Sequence, residues 1–174
     1  MLKKAISGLI CAVLSIGLMG CGDTSKPVKD TQVKQEVKKE KPKNENFKVG
    51  DAIKLNGTVL TVESCTLQPA GEYDSIKQGS EYAIVKVKIE NKGDETISYN
   101  PFYFKIKNSK GQITECTYTG VIAKTQLKSG ELAKGGVVDG TLAFEVPKED
   151  KDLQLFFQDD IFTNGAKITI NLNK

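Results

Sequence analysis

The chain has 174 residues, 39% hydrophobic and 27% charged, and its 25 basic residues stand against 22 acidic ones with no histidine. So small a charge excess does not make the concentrated basic surface that nucleic-acid binding requires, and no nucleic-acid partner is expected. The missing histidine removes the commonest general base and metal ligand, and with it Ser-His-Asp, Cys-His and zinc-protease chemistry.

The first element is a leader. Lys3 and Lys4 precede an uncharged apolar run over residues 5–19, and Leu18-Met19-Gly20-Cys21 closes it. This order of positive, apolar and small residues predicts a bacterial lipoprotein signal peptide over residues 1–20, with Leu18 and Gly20 read by the peptidase and Cys21 lipidated as the new N-terminus. The rival is an uncleaved spanning helix, because the run approaches the roughly 20 apolar residues a bilayer demands. Gly8, Gly17, Gly20 and Gly22 argue against that helix, and a cysteine directly after a small residue is what lipidation needs. Two or more acyl chains hold a protein to a bilayer far more firmly than one, so Cys21 predicts a stable membrane partner. The rest of the chain is expected on the extracytoplasmic face of the cell membrane.

Residues 21–46 are the lipidated cysteine and a charged linker. Between residues 22 and 46 seven lysines meet five acids, aromatic residues are missing, and Val28, Val33 and Val37 are the aliphatic side chains. Such a segment buries too little apolar area to offset its ordering entropy and is read as a disordered spacer. A short amphipathic helix near residues 30–41 is the alternative, though isolated helices of that length are marginal in water.

From Phe47 to the end the pattern turns to short alternating runs, over 128 residues whose sixteen lysines face seventeen acids. Period two with Gly, Asn and Pro between runs predicts β-strands. Over residues 82–90, Ala83, Val85, Val87 and Ile89 face a core while Lys86, Lys88 and Glu90 face water. Phe102, Phe104 and Ile106 repeat this against Tyr103, Lys105 and Lys107. Leu142, Phe144 and Val146 do so against Thr141, Ala143 and Glu145, and Ile168, Ile170 and Leu172 close the chain. Asn91-Lys92-Gly93-Asp94 is expected to turn the chain, Asn108-Ser109-Lys110-Gly111 to join a hairpin, and Asn164-Gly165 to precede the last strand. Pro147 should end its strand for want of an N–H. Residues 47–174 therefore read as one all-β domain, with short turns near residues 70–77 and 148–152 as the nearest approach to helix.

Val49-Gly50-Asp51, the run from Tyr82 through Asp94, Pro101-Phe102-Tyr103-Phe104 and Leu142-Ala143-Phe144-Glu145-Val146-Pro147 carry a family likeness. Together they resemble the telokin-like, immunoglobulin-fold domain of unknown function common in Gram-positive lipoproteins and secreted antigens. The resemblance implies an immunoglobulin-like antiparallel two-sheet sandwich behind a signal peptide and disordered linker, without the buried tryptophan of antibody domains. The chain has no Trp. It implies no catalytic residues and no cofactor.

Cys11 leaves with the signal and Cys21 takes lipid, so Cys65 and Cys116 remain. Two readings stay open: a disulfide closing a long loop, stabilising by about 2–4 kcal/mol, or two buried thiols that never meet. Zinc is not expected, since two cysteines without histidine lack a ligand set. For chemistry, Glu149, Asp150, Asp152, Asp159 and Asp160 form the densest acidic group, which paired carboxylates of a glycan hydrolase could use, and which a solvated loop explains more simply. Tyr73, Tyr82, Tyr99, Tyr103, Tyr118, Phe156 and Phe157 are candidates for a glycan or peptide platform. In Phe156-Phe157 the two rings cannot both enter one core. The reading is a non-catalytic binding module anchored to the membrane, with an envelope protein or glycan as partner. A carboxylate-based envelope enzyme and a ligand-sensing accessory of an envelope system are the alternatives.

Overall fold

The structure, a computed structural model, describes residues 47–158 and 168–173. Leu18, Gly20, Cys21, the linker, Asp159, Asp160 and the Asn164-Gly165 turn lie outside the described residues.

Eleven strands follow one another among the described residues: β1 (Phe47–Lys48), β2 (Ala52–Leu55), β3 (Thr58–Gln68), β4 (Ser80–Asn91), β5 (Ile97–Tyr99), β6 (Phe104–Lys107), β7 (Ile113–Glu115), β8 (Gly130–Leu132), β9 (Val137–Pro147), β10 (Gln154–Phe157) and β11 (Ile168–Asn171). They form a four-stranded sheet in the order β2-β3-β4-β9, a five-stranded sheet in the order β1-β11-β10-β6-β7, and a small β5-β8 ladder. The expected all-β sandwich is observed. One pairing departs from the antiparallel expectation: β1 runs parallel to β11. These strands stand far apart in the chain, so no tight turn dictates their relative direction.

The core lies between the two larger sheets. Leu60 and Val62 of β3, Val85 and Val87 of β4, and Leu142 and Phe144 of β9 meet Phe104 and Ile106 of β6, Leu155 and Phe157 of β10, and Ile170 of β11 in one cluster. At about 25 cal/mol per Å² of apolar surface removed from water, this shared burial is the main force holding the sheets face to face. A bulge in β3 between Val62 and Ser64 shifts the alternation by one residue. The inward series therefore passes from Leu60 and Val62 to Cys65, which packs on the same core.

The period-two reading is correct for β4, β9 and β11 on the core side, and two of its details are corrected. Phe102 is 41% exposed rather than in the core. Asn100 caps a 3₁₀ turn over Pro101–Tyr103, its side chain accepting from the Phe102 N–H, so alternation begins only at Phe104. The outer face of β4 is wet only along half its length. Lys86 pairs with Glu63 at 2.8 Å and Lys88 with Glu90 at 3.0 Å, but Tyr82 and Ile84 are buried. Val121 and Ile122 from a second 3₁₀ turn, with Ala70 and Ile76, cover them in a second apolar cluster.

The hairpin turns follow the expected chemistry. Asn108 accepts from the Lys110 and Gln112 N–H groups at 3.0 and 2.9 Å, closing the β6–β7 hairpin. Pro147 ends β9. Asn56 and Gly57, both at positive φ, join β2 to β3, and a Cβ on Gly57 would stand 2.9 Å from the Gly93 backbone.

Candidate binding site

At the end of the sandwich where β4 finishes and β3 begins, the two sheets part and leave a pocket of about 220 Å³. Tyr99, Tyr103 and Phe157 supply its rings, Ile89 and Ile97 its aliphatic wall, and Asn56, Thr58 and Ser98 polar groups around them. An apolar concavity with a few converging polar groups is the arrangement small-ligand sites share.

Each ring is held by its own local chemistry. Tyr99 pairs with Gly130 across the β5–β8 ladder. A Cβ at position 130 would fall 2.5 Å from the Tyr99 hydroxyl oxygen, so the missing side chain of Gly130 is the space the ring occupies. Tyr103 leaves the 3₁₀ turn with its hydroxyl 3.2 Å from Ser98 Oγ, and its carbonyl accepts from the Gln158 N–H at 2.8 Å. Phe157 lies against Phe104 with ring centroids 5.0 Å apart, tilted by 48°. Asn91, fully buried beside this end, donates from Nδ2 to the Glu95 and Leu132 carbonyls at 2.7 and 2.9 Å and accepts from the Gly93 N–H at 3.0 Å.

Of the seven aromatic candidates, three therefore meet in one place. Tyr82 belongs to the second apolar cluster. Phe156 is half-buried on the opposite face of β10 from Phe157, with Lys107 Nζ 6.0 Å from its ring centre, as the alternation requires. Tyr73 and Tyr118 are 94% and 68% exposed. They flank Asp74 and Thr119, which hydrogen-bond to each other. Asn56, Thr58 and Ser98 had no signal in the sequence as site residues, because the first two belong to the β2–β3 hairpin, far in the chain from Ser98 and the rings. The Asn56-Gly57 dipeptide does signal a hairpin there.

The described members of the acidic group, Glu149, Asp150 and Asp152, sit at the other end of the sandwich, where Asp150 ties loops. Asp150 accepts from Ser109 N at 3.1 Å, Ser109 Oγ at 2.9 Å and Asp152 N at 3.0 Å. Burial works to raise the pKa of Asp150, yet the hydrogen bonds from Asp152 and Ser109, helped by Lys110, outweigh it and hold the carboxyl below its usual value. Asp74 accepts from Gly71 N at 3.0 Å and Gly120 N at 3.2 Å as well as from Thr119. The Thr119 hydrogen bond is the chief reason that Asp74 also titrates below the usual range, followed by the Gly71 N–H. Glu149 and Asp152 are exposed. Among the described residues no group of three or more His, Cys, Asp or Glu side chains is placed to hold a metal ion.

Of the two readings open for the remaining cysteines, the structure has Cys65 and Cys116 as free thiols. Cys65 sits on β3 opposite Val85 of β4, whereas Cys116 adjoins Thr117, which bridges to Ala143 on the far edge of β9. Three strand spacings, about 14 Å, separate those lines, well beyond the roughly 7 Å between Cα atoms that a disulfide allows. Burial pushes the Cys65 thiol up to about 11, and burial with help from Glu115 does the same for Cys116. Neither is a reactive thiolate at neutral pH.

Residues 47–168 match the family model described as a domain of unknown function, DUF4352. The chain belongs to this family. The uncharacterized lipoprotein YjhA of Bacillus subtilis (strain 168) is 27% identical over 124 residues, covering 65% of this chain and 58% of that protein. The chain thus matches rather more than half the length of this curated relative. The crystal structure of the yjhA protein from Bacillus subtilis superposes with a TM-score of 0.57 at 22% identity, over 73% of this chain and 99% of that one. A conserved hypothetical protein from Bacillus anthracis does so with a TM-score of 0.51 at 10% identity, over 73% and 95% of the two chains. At these identities the solved structures support the β-sandwich fold alone.

Proposed function

We propose that this DUF4352 chain is a lipid-anchored module of immunoglobulin-like, telokin-like topology, held at the extracytoplasmic face of the membrane through Cys21 and working by binding rather than catalysis. The observation that carries the binding half is a contrast in how polar groups are used. The carboxylates of Asp74 and Asp150 are occupied by loop N–H and hydroxyl groups, whereas Tyr99, Tyr103 and Phe157 line a concave space with amide and hydroxyl side chains around it. The anchoring half rests on Leu18, Gly20 and Cys21 and on the likeness to a relative named as a lipoprotein. Residues 22–46 then act as a tether, letting the domain meet an envelope protein or glycan some distance from the lipid headgroups.

The test is metabolic labelling with a palmitate analogue in cells expressing the wild type or Cys21→Ser. Label on the wild type and none on the variant is expected, with the variant released to the medium or retained as the larger precursor. Equal labelling of the two chains overturns the anchor. Catalysis in place of binding would show as turnover of an envelope glycan that Asp150→Asn abolishes.

A further inference from the structure

We infer that the pocket at the β5–β8 end of the sandwich binds one neutral six-membered sugar ring of an oligosaccharide, stacked against the Tyr99 and Tyr103 rings. This rests on the binding-module reading and deepens it by naming the ligand class.

Size sets the first limit. A cavity of about 150 Å³ is enough to hold benzene, and drug-sized ligands fill roughly 300–1,000 Å³. The pocket, at about 220 Å³, suits a single substituted six-membered ring. Charge sets the second. Among the described residues no Asp, Glu, Lys or Arg lines the pocket. A charged ligand would lose its hydration there without gaining a partner, so the ligand is neutral.

The mixture of groups separates a sugar from an apolar ring. An aliphatic or aromatic ligand would satisfy Tyr99, Tyr103, Phe157, Ile89 and Ile97, but it would take the Thr58 hydroxyl and the Asn56 amide from water with no hydrogen bond in return. A pyranose offers both surfaces at once, since its axial C–H face lies flat on an aromatic ring while its equatorial hydroxyls point outward to amide and hydroxyl partners. The hydroxyls of Ser98 and Tyr103 already meet at 3.2 Å and can each turn a lone pair or a proton to a sugar hydroxyl. Asn56, held at φ 48° by the β2–β3 turn, contributes an amide able to both donate and accept.

The site is also prepared before binding. Gly130 makes the room Tyr99 fills, the Asn100-capped turn carries Tyr103, and Phe104 backs Phe157. Little ordering entropy is then left to lose when the ligand arrives.

The experiment is a titration of the full lipidated chain in phospholipid nanodiscs with cellotetraose, maltotetraose and chitotetraose as neutral probes, tetragalacturonate as the charged control and indole as the apolar control. The readouts are amide chemical shifts and tyrosine fluorescence, which is clean because the chain holds five Tyr and no Trp. At least one neutral sugar is expected to give saturable shifts centred on the amides of Asn56, Ser98, Tyr99 and Tyr103. Tyr99→Ala should weaken it about tenfold or more, and the fold-preserving Tyr103→Phe and Ser98→Ala a few-fold each, while Tyr73→Ala and Tyr118→Ala leave it unchanged. No saturation with any neutral sugar, stronger binding of tetragalacturonate, or equal weakening by Tyr73→Ala overturns the assignment. Shifts at these amides with indole but not with the sugars overturn the sugar and leave the binding module standing, whereas loss of palmitate labelling would strike the anchor alone.

Discussion

The two ends of the sandwich are built from different chemistry. Where β4 begins and β9 finishes, carboxylates fasten the loops beside the Asn108 amide of the β6–β7 hairpin: Asp74 holds Gly71 and Gly120, Asp150 holds Ser109 and Asp152, and Glu145 accepts from the Lys77 N–H at 3.1 Å. Where β4 finishes, Asn91 holds Glu95, Leu132 and Gly93, and Asn100 holds Phe102, so neutral amides do the same work. The ion pair Lys134–Asp94 at that end, 2.6 Å long, lies largely in solvent and contributes little. A loop tied by an amide stays tied whatever the pH, whereas one tied by a carboxylate is released when the carboxylate is protonated. The aromatic pocket lies at the end whose loops are tied by amides.

The largest effect is expected from breaking the amide-tied end. Asn91→Ala strips partners from two carbonyls and one N–H around a fully buried position, and should cost about 3 kcal/mol in urea unfolding with an unchanged slope. Removing the carboxylate from the charged end through Asp150→Ala should cost about 2 kcal/mol, because Ser109 and Asp152 lose their acceptor. The sign with pH follows from the lowered pKa of Asp150. Its contribution is complete above its ordinary unfolded value and is lost as pH falls through the lower folded value, so wild type and Asp150→Ala should begin to converge as pH drops below about 4 and meet only below the lowered folded value.

How much of this was legible beforehand depends on where each side chain finds its partner. The core faces of β4, β9 and β11 were readable because a strand against one continuous core must alternate, and Val85, Phe144 and Ile170 do. Phe102 broke the pattern because Asn100 and Pro101 open a 3₁₀ turn that local alternation does not register. The burial of Tyr82 and Ile84 was hidden because their cover, Val121 and Ile122, arrives from a distant segment. The pocket was hidden for the same reason: its aromatic residues stood in the sequence as candidates, but only the meeting of β5, the 3₁₀ turn before β6, and β10 with the β2–β3 turn brings Tyr99, Tyr103 and Phe157 together with Asn56 and Ser98. Both cysteines were visible, and their separation across β4 and β9 was not.

Smaller effects sharpen the contrast. Asp74→Ala should leave global unfolding nearly unchanged and speed amide exchange at Gly71 and Gly120, which it holds in two separate loops. Smallest of all, a reductant should not move the unfolding midpoint, and Cys65 and Cys116 should react slowly with a thiol reagent at neutral pH, because both thiols titrate near 11. A reductant-dependent midpoint would mean that the sheets can bring the two cysteines together after all.

The difference between the ends is tested most directly by amide exchange as pH is lowered, corrected for the intrinsic pH dependence of exchange. The amides of Gly71, Gly120, Ser109 and Asp152, which donate to Asp74 or Asp150, should lose protection progressively as pH falls below about 4, while those of Gly93 and Phe102, which donate to Asn91 and Asn100, keep theirs. Loss of protection at Gly93 and Phe102 in step with the others would contradict the account.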